Sequence, residues 1–202
     1  MFEAPELAAG RELPSSHDRA WFVYLLPLTD CTAFKVGFSC NPLQRIYGFS
    51  RRYYERFDLH QALLLRLGEC EQARAIEALL KADLAAYRTD APPWLPRAAG
   101  GYTEWFSAVH FVHAQARLQA ALPDQDSAQV LSAFDQIHAE LGRRCTDFES
   151  WAWRLAQQVR DARAVYGTGR GSLRDWIDAY RFFGIPVFAD DPAARQFVLA
   201  AR

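Results

Sequence analysis

The sequence predicts an α+β fold, in which a small three-stranded antiparallel sheet is flanked by helices and followed by an all-helical C-terminal region. Two apolar runs of strand length, separated by a short turn-forming segment, predict the start of the sheet. From about residue 124, repeated helix-capping signals predict helices instead. The predicted organisation is a lead-in over residues 1–18, an α+β domain over 19–122 and a helical domain over 124–202.

Three segments predict the strands. Residues 21–26 are apolar throughout, which is typical of a strand covered on both faces. Residues 27–32 have turn chemistry and precede a second strand at 33–38, so these two strands are expected to form an antiparallel hairpin. The Leu-rich run 59–67 ends at Gly68 and predicts the third strand.

Helices are predicted where capping residues precede a helical apolar period. An Asn-Pro pair at 41–42 begins one that runs to about Glu55, with Asn as the cap and Pro in the first position. Residues 71–87 form the clearest predicted helix, because their apolar side chains cover one arc about 80° wide. The Pro- and Gly-rich segment 89–102 is long enough for a functional or mobile loop. Residues 103–111 then predict a short strand or a strand-to-helix junction.

The C-terminal region is predicted to contain only helices. Two capping boxes of the form Ser/Thr-x-x-Asp/Glu, at Thr146 and Ser172, support this prediction, and the GTGRG segment between them is expected to be a linker. We expect these helices to pack on the first domain or on a second subunit. The predicted helices cover residues 127–143, 146–166, 172–183 and 191 onward.

The composition narrows the class of protein. With 202 residues, 50% of them hydrophobic, the chain has enough apolar material for a packed core. The formal net charge of −1 means that a nucleic-acid partner would have to meet a local basic patch. The longest apolar run is too short to span a bilayer, the N-terminal segment lacks the apolar core of a secretory signal, and the four cysteines lie far apart. We therefore expect a cytoplasmic protein with reduced thiols and no membrane partner.

Lys35 is the first residue that suggests chemistry. It falls in the predicted second strand, where its face also carries Ala33 and Gly37 and therefore leaves room for a ligand. Tyr24 on the first strand faces the same way if the register allows it. A buried ammonium group needs an anionic partner, whereas the alternative is an edge-strand lysine that blocks aggregation.

Arginines follow the Lys35 strand at helical spacing. Arg45, Phe49, Arg52 and Arg56 stand at i, i+4, i+7 and i+11, so three guanidinium groups would line one face of the predicted helix. A guanidinium group suits phosphate because its planar fork donates hydrogen bonds in pairs. The alternative interpretation is a solvated helix face. Arg45 differs from the others because it lies in the first turn, where the helix terminus itself favours anions.

Glu77 lies at the edge of the apolar arc of the 71–87 helix. A carboxylate in such a position is usually a surface residue beside the core. It is also the kind of ligand that holds Mg²⁺ against a phosphate, since this ion often takes only one or two protein carboxylates. A proton acceptor, cationic groups and a metal ligand together predict phosphodiester cleavage.

The stretches VYLL, FKVGFSCNPLQR, AIEALLKADL and TEWF together resemble the GIY-YIG nuclease superfamily, and within it the T5orf172/MUG113-type branch. The resemblance covers roughly residues 21–110, and its most specific element is KVG with an arginine eight residues after the glycine, Gly37 to Arg45. It implies a small three-stranded sheet flanked by helices, and cleavage of nucleic acid with one divalent ion, Mg²⁺ or Mn²⁺. The chain departs from the family pattern in the first motif, where Phe22 stands two residues before Tyr24 in place of a glycine-containing start.

The resemblance also implies a role for individual residues. Tyr24 would assist deprotonation of the nucleophile, and Lys35 would be an active-site cation at the position of the tyrosine of the second motif. Arg45 would stabilise the phosphate in the transition state, and Glu77 would bind the metal. The residues expected to contact nucleic acid are Lys35, Arg45, Arg52 and Arg56.

Three functions are compatible with the sequence. The leading hypothesis is a metal-dependent endonuclease that hydrolyses DNA. The second is a module that binds nucleic acid on the same scaffold without cutting it. The third is an interaction protein, in which the helical region binds a protein partner or a second copy of the chain. Glu104 is either structural or a second acid near the metal. Some members of the family resembled have a polar asparagine late in the domain, but no asparagine stands near Glu104 in this sequence.

Overall fold

A computed structural model describes residues 20–123, 128–161 and 167–201 of the chain. The described residues form one sheet and a series of helices, joined in places by single 3₁₀ turns. The strands are β1 (Trp21–Pro27), β2 (Ala33–Ser39), β3 (Leu63–Leu67), β4 (Trp105–Ser107) and β5 (Gln129–Ser132). The helices are α1 (Pro42–Phe49), α2 (Tyr53–Arg56), α3 (Cys70–Asp83), α4 (Phe111–Ala120), α5 (Ala133–Arg143), α6 (Cys145–Asp161), α7 (Gly167–Phe182) and α8 (Pro192–Ala201).

The α+β class is confirmed, but the prediction of three strands is wrong. The sheet has five strands in the order β4-β2-β1-β3-β5, and every neighbouring pair is antiparallel. The three predicted strands form its centre. The short strands β4 and β5 pair with the outer edges of β2 and β3, and so satisfy backbone groups that a three-stranded sheet would leave open.

Strand β5 also corrects the predicted helix over residues 127–143. Residues 129–132 pair with β3, Leu63 lying opposite Ser132 and Arg66 opposite Gln129. Helix α5 begins only at Ala133, whose backbone N–H donates to the carbonyl of Ala62. A four-residue strand has no periodicity long enough to compete with the helical pattern that follows it, so tertiary pairing decides its conformation.

The hairpin β1–β2 is confirmed and positions the site. Its turn is closed by Asp30, whose carboxylate accepts hydrogen bonds from the backbone N–H and the hydroxyl of Thr32 at 3.0 and 2.7 Å. The resulting register places Tyr24 opposite Gly37. On the other side of β2, Lys35 lies opposite Trp105 of β4. Lys35 therefore belongs to an inner strand, so the edge-lysine interpretation is wrong.

The helix predicted over residues 42–55 is interrupted. Its start is confirmed, because the Asn41 side chain accepts a hydrogen bond from the backbone N–H of Gln44 and Pro42 follows in the first turn. Helix α1 ends at Phe49, and α2 begins at Tyr53. Phe49 at the end of α1 and both tyrosines at the start of α2 are buried.

The two faces of the sheet have different partners. One face packs against α3 and α4 in an apolar cluster, to which β1 contributes Val23 and Leu25. The opposite face carries Tyr24 and Lys35, and it is covered by aromatic residues that include Phe49 of α1. The site residues on the strands thus lie on the α1 face, away from the main apolar cluster.

The chain divides into two compact units, which among the described residues cover 20–137 and 138–201. The second unit is helical, as predicted, and Phe148 of α6 stacks on Tyr180 of α7 with ring centroids 4.4 Å apart. The GTGRG segment at 167–171 is helical rather than a linker, because α7 begins at Gly167. The predicted end of the 146–166 helix lies outside the described residues. Within the described residues, no helix combines the length and the apolar character that crossing a membrane requires.

Candidate active site

Tyr24 lies in the middle of the α1 face, and its side chain is almost completely buried. It packs edge-on against Phe49, with ring centroids 6.5 Å apart. The ring crosses directly over Gly37, since a Cβ atom at that position would lie 2.3 Å from the Tyr24 hydroxyl oxygen. The glycine of the KVG sequence is therefore required by the position of the tyrosine on the neighbouring strand.

The environment of Tyr24 favours the neutral phenol. Burial raises its pKa to about 12, and the charges of Glu77 and Glu104 act in the same direction. A hydrogen bond and the charge of Arg45 act in the opposite direction. The phenol is therefore protonated at neutral pH in the free protein.

Lys35 is the most deeply buried charged side chain among the described residues, with 1% of its surface exposed. Its ammonium group donates to Glu104 Oε2 at 2.8 Å and to the backbone carbonyl of Val36 at 3.2 Å. It also lies 5.7 Å from the ring of Trp105 and 5.9 Å from that of Phe49. Burial lowers the pKa of Lys35 to about 8, while Glu104 and, more weakly, Glu77 oppose this change.

Glu104 is held in place from several sides. Its backbone carbonyl accepts a hydrogen bond from Val36 N–H, and its Oε1 accepts one from the hydroxyl of Thr103. Burial alone would raise the pKa of Glu104, but the hydrogen bond and charge of Lys35 outweigh burial and lower it. The acid is thus ionised and oriented toward the ammonium group of Lys35.

Arg45 extends from the first turn of α1 across the same region. Its guanidinium group stacks 4.5 Å from the centre of the Phe49 ring and donates to the carbonyl of Ala99 at 2.7 Å. The electrostatic effects of Arg45 reach both Tyr24 and Lys35. Tyr24, Lys35 and Arg45 therefore lie close enough together to form one cluster.

Glu77 approaches this cluster from α3, the helix on the other face of the sheet. Its side chain is buried and forms an ion pair with Lys81, one turn later, at 2.9 Å. Its charge nevertheless raises the pKa of both Tyr24 and Lys35. The predicted carboxylate is thus close enough to influence the cluster, although it does not pair directly with Tyr24 or Lys35.

The part of the chain that carries this cluster matches a known protein family. The model of the T5orf172 domain matches residues 21–122, which is half of the chain and includes every residue of the cluster. The chain belongs to the T5orf172 family. The T5orf172 domain is part of the GIY-YIG-like, nuclease-related group, so the resemblance read from the sequence is confirmed. No curated protein and no solved structure matches the chain.

The donor set of this T5orf172 domain fits a metal ion that takes a single protein carboxylate. Within residues 20–123, 128–161 and 167–201, no three His, Cys, Asp or Glu side chains are grouped so that they could hold an ion together. Glu77 offers one hard oxygen ligand, and its partner Lys81 is partly exposed and can turn toward solvent. A Mg²⁺ ion that completes its shell with water and phosphate oxygens is compatible with this arrangement.

The predicted row of arginines is not a single helix face in this T5orf172 domain, because the chain breaks between α1 and α2. Arg52 lies at the break and donates to Glu55 Oε2 at 2.8 Å. Arg56 lies at the end of α2, with its guanidinium group 5.3 Å from the ring of Trp94. The prediction that Arg52 and Arg56 share a helix face with Arg45 is therefore wrong, and their contact with nucleic acid stays a prediction.

Sequence reasoning did not assign two partners of the cluster. The sequence predicts Glu104 to be either structural or a second acid near the metal, and its contact with Lys35 has no sequence signal because the two residues stand 69 positions apart. Lys81 has a sequence signal, since its i+4 spacing from Glu77 is the spacing of a helical ion pair. Lys35 and Lys81 are the only two lysines in the sequence.

Proposed function

We propose that this protein is a metal-dependent endonuclease that hydrolyses phosphodiester bonds in DNA through Tyr24, Lys35, Arg45 and Glu77. The observation that carries the proposal is the convergence of a phenol, an ammonium group and a guanidinium group on one face of the sheet, within electrostatic reach of a buried carboxylate. Membership of a nuclease-related family supports the same conclusion.

Each side chain suits one requirement of phosphodiester hydrolysis. Water must lose a proton, which solvent takes up, as its oxygen attacks phosphorus, and the departing oxygen must gain one, which solvent supplies, as its bond to phosphorus breaks. Arg45 can donate two parallel hydrogen bonds to phosphate oxygens, and Lys35 adds a compact positive charge where negative charge accumulates. A divalent ion at Glu77 would supply Lewis-acid stabilisation of the same charge.

Tyr24 would position the attacking water in this scheme. With a pKa of about 12 the phenol keeps its proton at neutral pH, so its oxygen accepts a hydrogen bond from water while its own proton remains bound. Lys35, with a pKa of about 8, is the neighbouring group whose protonation changes nearest to neutral pH. We therefore expect cleavage to depend on pH around 8, where the ammonium charge is lost.

A second function, binding of nucleic acid without cleavage, is favoured by one observation. Tyr24 and Lys35 are each only 1% exposed, so in the free protein neither can touch a substrate. In that case the exposed cations around the site would retain DNA, and no bond would be cut.

Supercoiled plasmid incubated with Mg²⁺ separates the two functions. The wild type is expected to nick the plasmid, and Glu77→Gln should lower the rate at least about 100-fold while leaving DNA affinity unchanged. Glu71→Gln is the matched control, since Glu71 is an exposed acid in the first turn of the same helix. A wild type that retards DNA and never cuts it with Mg²⁺ or Mn²⁺ would support the binding function instead.

A further inference from the structure

One segment covers the candidate site. Residues 97–104, called the strap below, run from the 3₁₀ turn Arg97–Ala99 through two glycines to Glu104, directly before β4. Gly100 and Gly101 both have positive φ angles, of 63° and 75°, which carry the chain back over the α1 face.

The strap engages both cations of the site. Its Ala99 carbonyl accepts a hydrogen bond from Arg45, and its Glu104 carboxylate accepts one from Lys35. Between these two contacts, Gly101 lies against both side chains: a Cβ atom there would lie 3.0 Å from Lys35 Cε and 3.1 Å from a terminal nitrogen of Arg45. The two groups that would bind a phosphate are thus each occupied by an oxygen atom of the same short segment.

This occupation is incompatible with direct contact between substrate and Lys35 in the same conformation. An ammonium group that is 1% exposed and already bonded to a carboxylate has no path to a phosphate. A phosphate beside Glu104 would also meet a like charge. If the proposed function holds, on which this inference rests, the strap must leave before the substrate enters.

We propose that the Ala99 carbonyl and the Glu104 carboxylate occupy the positions that the phosphate oxygens of the substrate take, so that nucleic acid enters the site by displacing the strap. The strap acts as an internal competitor, which keeps Lys35 and Arg45 oriented in the free protein. Because the strap must first be displaced, the apparent affinity for DNA is lower than the intrinsic affinity, in proportion to the fraction of molecules in which the strap is open.

The packing of the strap permits such a movement. None of residues 97–104 belongs to the apolar cluster, and each of them is exposed or half-buried. The strap is held mainly by polar contacts, among them the indole N–H of Trp105 donating to the Gly101 carbonyl and the hydroxyl of Tyr102 donating to Leu95. Polar contacts of this kind can be exchanged for water, whereas the sheet below remains packed.

Two glycine variants test the proposal without changing any charge. Gly101→Ala places a methyl group against Lys35 and Arg45, and Gly100→Ala strains the positive φ without touching either cation. Both should disfavour the closed strap. Gly48→Ala is the control, since it adds a methyl group inside α1 with nothing within 4 Å and no positive φ.

The first measurement reports on the strap without nucleic acid. Because the chain has only two lysines, amine acetylation followed by mass spectrometry compares buried Lys35 with Lys81, whose side chain is 26% exposed. We expect slow labelling of Lys35 in the wild type and in Gly48→Ala. The ratio of Lys35 to Lys81 labelling should rise at least about fivefold in both strap variants.

The second measurement is the affinity for a short DNA duplex in EDTA, where no cleavage occurs. We expect both strap variants to bind about three- to tenfold more tightly than the wild type and Gly48→Ala. Higher labelling of Lys35 together with unchanged or weaker DNA binding would refute the proposal that the strap competes with DNA. Unchanged labelling of Lys35 in both variants would refute the proposal that the strap covers this residue. If labelling of Lys35 rises but neither the wild type nor any variant binds DNA, the nuclease function is refuted, whereas the finding that the strap covers Lys35 is supported.

Discussion

Replacing the Lys35–Glu104 ion pair with neutral side chains of similar size should stabilise the sheet and abolish the proposed nuclease activity. The variant is Lys35→Met/Glu104→Gln, in which glutamine matches the length of glutamate and methionine is one atom shorter than lysine. The physical reason is that Lys35 is held charged in a position where burial disfavours charge. Functional sites often retain such groups at the expense of stability.

The size of the effect follows from the pKa of Lys35. A change from 10.5 in the unfolded chain to about 8 in the folded protein corresponds to a destabilisation of about 3 kcal/mol at neutral pH. Methionine also loses the hydrogen bonds that even a neutral amine would donate to Glu104 and Val36, which offsets part of the gain on substitution. We therefore expect the free energy of unfolding to rise by about 2 kcal/mol, within the range found when ion pairs are replaced by neutral groups.

The lowered pKa of Lys35 also determines how the free energy of unfolding depends on pH. Between pH 8 and 10.5 the folded protein has lost the Lys35 proton while the unfolded chain still holds it. The unfolded state binds more protons in this window, so the stability of the wild type rises with pH there, and the variant should lack this component.

Urea unfolding measures the free energy of unfolding at each pH, and amide hydrogen exchange in β1 at pH 7 assigns the stability to this unit. Glu104→Gln alone is the control, and it should be less stable than the wild type because it leaves the ammonium group without its counter-charge. A double variant that is less stable at pH 7 by more than about 1 kcal/mol would refute the reasoning. So would a stability difference between wild type and variant that does not change between pH 8 and 10.5. Either result would mean that Lys35 serves the fold rather than the site.

Three further predictions concern single residues. Arg45→Lys keeps the charge but loses the planar fork, so plasmid cleavage should fall about 100-fold with less than a tenfold loss of DNA affinity; equal losses of both would contradict a role in the transition state. Gly37→Ala should destabilise the fold by about 2 kcal/mol in urea unfolding, because the new methyl group would overlap the Tyr24 ring, whereas an unchanged midpoint would show that the ring has room to move. Arg52→Ala should lower the affinity for DNA about threefold, because its exposed ion pair with Glu55 is weak and is readily exchanged for one with phosphate, whereas an unchanged affinity would show that Arg52 does not contact nucleic acid.

The central strands of the sheet could be predicted from the local sequence, whereas its edge strands could not. Strands β1 and β2 are apolar runs joined by a turn, and the Asn-Pro pair at 41–42 predicts the start of α1. Strands β4 and β5 are three and four residues long and exist because open edges of the sheet accept them. Such pairing depends on what is nearby in space, which periodicity does not report.

The candidate site divides in the same way. Alternation along β1 and β2 allows Tyr24 and Lys35 to share a face, the register of the hairpin decides that they do, and the helix start places Arg45 near them. The counter-ion of Lys35 arrives from a loop 69 residues later, and no rule of spacing identifies it. The sequence signal that was available, two glycines shortly before an acid, becomes interpretable only when the path of the chain is known.

The choice of lysine at position 35 supports the view that the site is built for a changeable charge. The chain has 21 arginines and two lysines, so arginine is its ordinary cation. A guanidinium group at position 35 would be larger than the ammonium group and would meet Gly101, which already lies in contact with the lysine. It would also remain charged at every accessible pH, whereas burial brings the pKa of the lysine down to about 8. Compactness lets the strap close over the cation, and a pKa near neutrality lets its charge respond to whichever anion, Glu104 or a phosphate, lies beside it.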